Sequence, residues 1–167
     1  MGNNSFEGFS FDDERKIKIC LAASSGGHLE QIMMLKPLAL KYDGFLVTEK
    51  TAYSTPDPDL NTYYLKQTNR HEKTFVLNTI TNAVRSIRIL IKEKPNYLIS
   101  TGVLATLPIC FISKLVGIKV IYIESFAKVN SGTLSGRVMY KFADMFIVQW
   151  KEMLKVYPNA KYYGGIY

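Results

Sequence analysis

The apolar residues of this chain fall into short unbroken runs, alternating with stretches where they recur every three or four positions. The runs at 17–23, 44–48, 97–100, 119–123 and 145–148 read as buried strands, and weaker ones at 62–65 and 160–163 as two more. Helical spacing covers 28–41, 74–92, 104–115, 134–142 and 150–156. Pro37 kinks or ends the first of these helices and Lys94-Pro95 stops the second, because proline has no amide hydrogen to give. Residues 49–61, rich in Thr, Pro and Asp, form a loop. Strands that are apolar on both faces and alternate with helices predict an α/β fold, a Rossmann-like parallel sheet with helices on both faces. One such domain spans 17–167 and follows a flexible polar segment at 1–16, with no internal repeat and no linker.

Composition narrows the class. A chain of 167 residues with 47% hydrophobic content makes one domain with a sizeable core. A charged fraction of 21% excludes a disordered tail, and the two cysteines, Cys20 and Cys110, lie in separate apolar runs as packing residues. The net charge is +7, yet residues 1–15 carry Glu7, Asp12, Asp13 and Glu14 against Arg15, so the body is more basic than the total suggests. Such a body calls for an anionic partner: nucleic acid, lipid headgroups or a phosphorylated substrate. Nucleic acid is disfavoured, since the tyrosines are not interleaved with arginine and no nucleic-acid motif occurs. No signal peptide is expected. The uncharged stretch 98–113 falls short of the ~20 residues a membrane span needs.

In an open parallel sheet of order 3-2-1-4-5, ligands bind beyond the strand ends, where the order reverses between strands 1 and 4. Three features fall there: Ser24-Ser25-Gly26-Gly27-His28, Ser100-Thr101-Gly102, and Glu124-Ser125. The Gly26-Gly27 turn is either an anion cradle of backbone amides or only a tight turn. His28 is either a hydrogen-bonding helix-start residue or a base facing the cleft. Glu124 closes an apolar strand, where a carboxylate needs a substrate hydroxyl or a salt bridge to Lys128 or Arg137. Neither a dinucleotide nor a P-loop motif occurs, Asp57-Pro58-Asp59 reads as turn chemistry, and no metal site or cofactor is expected. Arg85, Arg88, Lys92 and Lys94 lie beside a stripe of Ile80, Val84, Ile87 and Ile91. The pattern fits a solvated flank over a core-facing stripe, or a surface that engages anionic lipid.

The stretches LAASSGGHL at 21–29, YIESFAK at 122–128, TLSG at 133–136, VQW at 148–150 and YPNAKYYG at 157–164 resemble one family. It is the oligosaccharide-biosynthesis family of the membrane-recruiting subunit of the dolichol-linked GlcNAc transferase and of bacterial capsule proteins of the PssD/CpsF type. More distantly, the chain resembles the N-terminal half of MurG. The resemblance implies the acceptor half of a GT-B glycosyltransferase split across two chains, peripheral at the cytoplasmic face of the plasma membrane. A partner resembling the other half of MurG would bind the UDP-sugar, and this chain would hold a polyprenyl-diphosphate-linked saccharide in capsule or exopolysaccharide synthesis. On that basis His28 and Glu124 are the catalytic candidates, and Ser25, Gly26, Gly27, Thr101 and Gly102 would hold the diphosphate. Arg85, Arg88, Lys92 and Lys94 would face the membrane, and Gln149, Trp150, Tyr163 and Gly164 the partner. The alternative is a non-catalytic scaffold that recruits and enhances a partner enzyme.

Overall fold

The computed structural model describes residues 17–102 and 104–167; the polar segment at 1–16 lies outside the described residues. Seven parallel strands form one sheet in the order β3-β2-β1-β4-β5-β6-β7. They are β1 (Ile19–Ala23), β2 (Phe45–Lys50), β3 (Asn61–Lys66), β4 (Tyr97–Gly102), β5 (Lys119–Ile123), β6 (Met145–Val148) and β7 (Lys161–Tyr162). The helices are α1 (Gly27–Met33), α2 (Lys36–Lys41), α3 (Phe75–Glu93), α4 (Leu107–Leu115) and α5 (Leu134–Met139). A 3₁₀ turn at Leu104–Thr106 precedes α4, and the expected helix at 150–156 is a 3₁₀ segment, Lys151–Lys155. The single helix expected over 28–41 is broken in two. Pro37 enters α2 within its first two positions, and its ring would collide with the Met33 carbonyl were α1 to continue.

Alternation along the strands sorts the core into two layers. Cys20, Ala22, Phe45, Val47, Leu98, Val120 and Tyr122 point to the layer that includes Ile89 and Leu90 of α3, Ile109 of α4 and Met139 of α5. Ile19, Leu21, Ala23, Leu46, Ile99 and Ile123 point to the layer of α1 and α2, with Ile32 and Ala39 at its centre. Both cysteines are free and fully buried in the first layer or its strands, and burial pushes the Cys110 thiol up to about 12. At the switch point β1 and β4 pair in register from Ile19↔Tyr97 to Ala22↔Ser100, and then slip so that Ala23 faces Gly102. Thr101 is the extra residue, a bulge of the kind that re-aims side chains beside functional sites.

The outward face of α3 overturns the core-facing reading of its apolar stripe. Ile80 and Ile91 are 57% and 66% exposed, and Val76, Leu77, Val84 and Ile87 are exposed on the same side. Asn82, Ser86 and Glu93 are buried instead, beside Ile89 and Leu90. The sheet requires this. Asn82 bonds both main-chain groups of Lys66 at 2.8 Å, prolonging the β3 edge, and Ser86 donates to the Asn82 carbonyl at 2.7 Å. Glu93 accepts from Tyr63 and pairs with Lys18 at 2.6 Å.

Candidate functional site

The β1–α1 loop stands at the switch point, and three hollows open around it. Gly26 has φ +76, a left-handed conformation that costs glycine little, and its carbonyl accepts the Leu29 and Glu30 amides at 2.8 and 3.1 Å. The amides of Gly26, Gly27 and His28 find no acceptor among the described residues. A Cβ built on either glycine would meet nothing within 4 Å, so the space above the loop is open.

His28 faces that space from a half-buried position. Thr101, carried there by the bulge, donates its hydroxyl to the His28 carbonyl at 2.9 Å. Burial holds the imidazole below its usual 6.5, outweighing the Thr101 backbone and the negative charges of Glu124 and Glu49. It is therefore neutral around pH 7, the form that can accept a proton. A cleft of about 690 Å3 joins His28 to Glu49, Thr68, Arg70, Lys128 and Thr133. A hollow of about 480 Å3 joins it to Gln31, Phe126 and Tyr167, and a third cavity lies beyond Ser25 and Gly26.

Several site expectations change on this geometry. Thr101 and Gly102 are buried and committed: the Thr101 hydroxyl to His28, and the Gly102 amide to Ser100 Oγ at 3.1 Å. They brace the loop and present no free donor to a ligand. Ser25 gives both its amide and its hydroxyl to Glu49 Oε2, at 3.3 and 3.1 Å, which leaves Gly26 and Gly27 of the anticipated cradle. Glu49 also accepts the Thr68 amide at 3.2 Å, tying the β1–α1 loop to the segment after β3. Sequence patterning does not single out Glu49 or Arg70, and gives Lys128 only as a salt-bridge partner for Glu124; the three lie near the end of β2, after β3 and after β5.

Glu124 does not face the cleft. It is 1% exposed, and its carboxylate accepts from the Ser125 amide at 2.9 Å, the Thr133 amide at 3.2 Å, the Thr133 hydroxyl at 2.9 Å and the Tyr157 hydroxyl at 3.0 Å. A side chain on Gly136 would overlap it. Neither Lys128 nor Arg137 pairs with it, so hydroxyls and amides replace the expected salt bridge. Through Thr133, whose hydroxyl also caps α5 by accepting the Gly136 amide at 2.8 Å, Glu124 positions one wall of the cleft. Burial beside it raises the Tyr157 hydroxyl's pKa, keeping that residue a donor.

The anticipated partner residues divide. Gln149 is interior: its amide nitrogen donates to the Glu124 carbonyl at 2.9 Å, and its oxygen accepts the Ile166 amide at 3.1 Å. Trp150 is partly buried, its ring packed at a tilt against Phe126 and its indole N–H on the Phe126 carbonyl at 2.6 Å. Only Tyr163, 56% exposed, and the Gly164 turn at φ +93 remain at the surface. Of the basic group, Arg85 donates to the Tyr64 carbonyl at 3.2 Å and so covers the sheet edge, and Lys92 lies over the Tyr63 ring. Arg88 and Lys94 are exposed beside the outward apolar face of α3. Asp57 accepts the Asp59 and Leu60 amides at 2.9 and 3.0 Å, the turn chemistry expected of it.

A model of the family "Oligosaccharide biosynthesis protein Alg14 like" matches residues 61–166. The chain belongs to this family. The UDP-N-acetylglucosamine transferase subunit ALG14 of Yarrowia lipolytica is 30% identical over 172 residues, covering 88% of this chain and 80% of that protein. The Homo sapiens protein of the same name is 25% identical over 179 residues, covering 90% and 83%. Among solved structures, Acinetobacter baumannii MurG superposes with a TM-score of 0.66 at 13% identity, covering 81% of this chain and 42% of that one. UDP-GlcNAc 2-epimerase from Neisseria meningitidis gives 0.68 at 10% identity, covering 90% and 47%. The Alg14-like chain thus spans under half the length of these neighbours, and its fold is the Rossmann-like half expected. No helix among the described residues is long and apolar enough to cross a membrane.

Proposed function

We propose that this Alg14-like chain is the acceptor-binding half of a two-chain glycosyltransferase at an anionic membrane surface. The observation that carries the reading is the open Gly26-Gly27-His28 loop with Arg70 and Lys128 in the cleft beside it. Two cations and unpaired loop amides suit a diphosphate, and a neutral imidazole next to them suits a sugar hydroxyl. In the reaction, the acceptor hydroxyl attacks the anomeric carbon of a UDP-sugar and passes its proton to His28, while the bond to UDP breaks with inversion. A partner chain carries the UDP-sugar. The relatives' names, transferase subunits for UDP-N-acetylglucosamine, support both the donor class and the division of labour. The acceptor is a polyprenyl-diphosphate-linked saccharide, in capsule or exopolysaccharide assembly.

The outward face of α3 supports peripheral attachment at the cytoplasmic side of the membrane. Six apolar side chains form one stripe, with Arg88 and Lys94 beside them, a combination that favours the boundary of an anionic leaflet. Tyr163 and Gly164 lie on the surface offered to the partner. The test is transfer by the chain reconstituted with its donor-binding partner. His28→Ala should lower kcat about 10²- to 10⁴-fold while vesicle and partner binding persist. Unchanged turnover refutes the base and favours the scaffold reading; transfer by the purified chain alone refutes the division.

A further inference from the structure

Beyond the Gly26 turn, α1, the ends of β2 and β3 and the 51–58 loop line an open cavity of about 800 Å3 that shares only Gly26 with the chemistry above. Its size is that of small-molecule sites. The loop that roofs it is tied down at both ends. Lys36 holds Asp57 Oδ1 and Asp59 Oδ2 at 2.9 and 2.6 Å, and Ser54 Oγ donates to the Glu49 carbonyl at 3.2 Å.

The lining selects the occupant. It contains no lysine or arginine, and its one carboxylate, Asp57, is already paired, so beyond the Gly26 loop at its edge no charged group there answers a phosphate. Apolar surface from Leu29, Met33 and Leu46 alternates with the neutral polar groups of Thr48, Tyr64 and Gln67. The Thr48 and Tyr64 hydroxyls are buried with no hydrogen-bond partner among the described residues, and Thr48 is only 3% exposed. An unpaired buried hydroxyl is costly, and both of these residues line the cavity. An isoprenoid filling the space would strand both hydroxyls. A sugar ring would pair with them while laying its C–H face on Leu29 and Met33.

We propose that this cavity is a neutral-saccharide site that seats the sugar of the lipid-linked acceptor, an inference resting on the acceptor-binding reading. The cavity meets the His28 cleft at Gln67. A Cβ on Gly26, which lines the cavity two residues before His28, would meet nothing within 4 Å, so no side chain stands over the loop there.

The experiment is an NMR titration of the full chain with the methyl glycoside of N-acetylglucosamine and, separately, farnesyl diphosphate, using wild type, Thr48→Val and Tyr64→Phe. The sugar should shift the amides of Thr48, Ala52 and Tyr64, and each variant should weaken it about five- to ten-fold. Farnesyl diphosphate should act at the His28 cleft equally in all three proteins. Both variants should melt at or above the wild-type temperature, which separates lost binding from lost folding. Equal sugar affinity in all three, or cavity shifts with the isoprenoid in place of the sugar, overturns the proposal. If reconstituted transfer needs His28 while neither variant moves sugar affinity or the acceptor KM, the saccharide site fails alone. If transfer ignores His28 while both variants weaken the sugar, the catalytic reading fails and the site stands.

Discussion

Replacing Glu124 separates a catalytic carboxylate from one that holds the cleft wall. In Glu124→Ala the Ser125 amide, the Thr133 amide and hydroxyl and the Tyr157 hydroxyl all lose their acceptor inside the fold. At about 1–3 kcal/mol for each stranded donor, the loss is on the order of 5 kcal/mol. That consumes a third to all of the stability of an ordinary domain, about 5–15 kcal/mol. Glu124→Gln is the more informative change. Its oxygen still accepts from Ser125 and the Thr133 hydroxyl, and the Tyr157 hydroxyl can turn to accept from the new NH₂. The Thr133 amide alone faces a donor. One lost bond of about 2 kcal/mol should lower Tm by roughly 4–8 °C. Thermal and urea unfolding measure this, and transfer is assayed with the partner well below the melting range. A Gln variant that melts with wild type yet loses transfer as fully as His28→Ala would refute the positioning role and return Glu124 to the reacting groups.

On α3, Ile80→Ser with Ile87→Ser removes roughly 1 kcal/mol of remaining burial at each half-exposed side chain. Vesicle partition should then fall about 30-fold by flotation. Arg88→Gln with Lys94→Gln should lose about 1 kcal/mol per charge at low salt and little at high salt; equal losses at both salts would point to packing alone. His28 should titrate with a midpoint below 6.5 by NMR, and the acid limb of kcat/KM should follow it. Because burial lowers this pKa, the stability carried by the neutral form is present above 6.5 and is lost as pH falls through the lower, folded value. Glu93 has a lowered pKa as well: burial pushes it up, but Lys18 and Tyr63 more than offset this. Its contribution is therefore present above the unfolded value of about 4.3 and fades as pH falls through the folded one. Lys18→Met should destabilise the protein at pH 7 and flatten that acid limb in urea titrations.

The strands, the Gly26 turn and the break at Pro37 were legible because each depends on local chemistry: unbroken apolar runs, a residue without Cβ, and a residue without N–H. The face that α3 buries was not. Periodicity finds the stripe of Ile80, Val84, Ile87 and Ile91 but carries no sign for inward or outward. The ordinary expectation fails because Asn82 and Glu93 have specific partners in Lys66, Lys18 and Tyr63, and those partnerships are long-range. The same distance hid Arg70 and set Lys128 beside Glu124 instead of in the cleft, since no spacing rule links either to His28. Thr101, Gly102 and Gln149 were found in the right neighbourhood but given the wrong task. The sequence places a residue at a strand end; only the bulge at Thr101 and the closed bonding of Gln149 show that they serve the scaffold.

The inverted polarity of α3 and the cleft are linked by the segment that joins them. Residues 67–70 and 72 line the cleft, and the helix begins at Phe75, so the first exposed apolar side chains, Val76 and Leu77, follow the cleft wall within five residues. From there the stripe runs the length of a 19-residue helix, about 28 Å. A lipid whose tail lies in the leaflet beneath that stripe would bring its headgroup up at the end where Arg70 stands. The buried polar face of α3 is what permits this. Asn82 closes the β3 edge and Glu93 anchors the far end to Lys18, so Ile89 and Leu90 are the aliphatic side chains α3 buries against the sheet and the other six stay outside. Membrane docking and acceptor capture would then be two ends of one element, and a variant that repacks the stripe inward should weaken both.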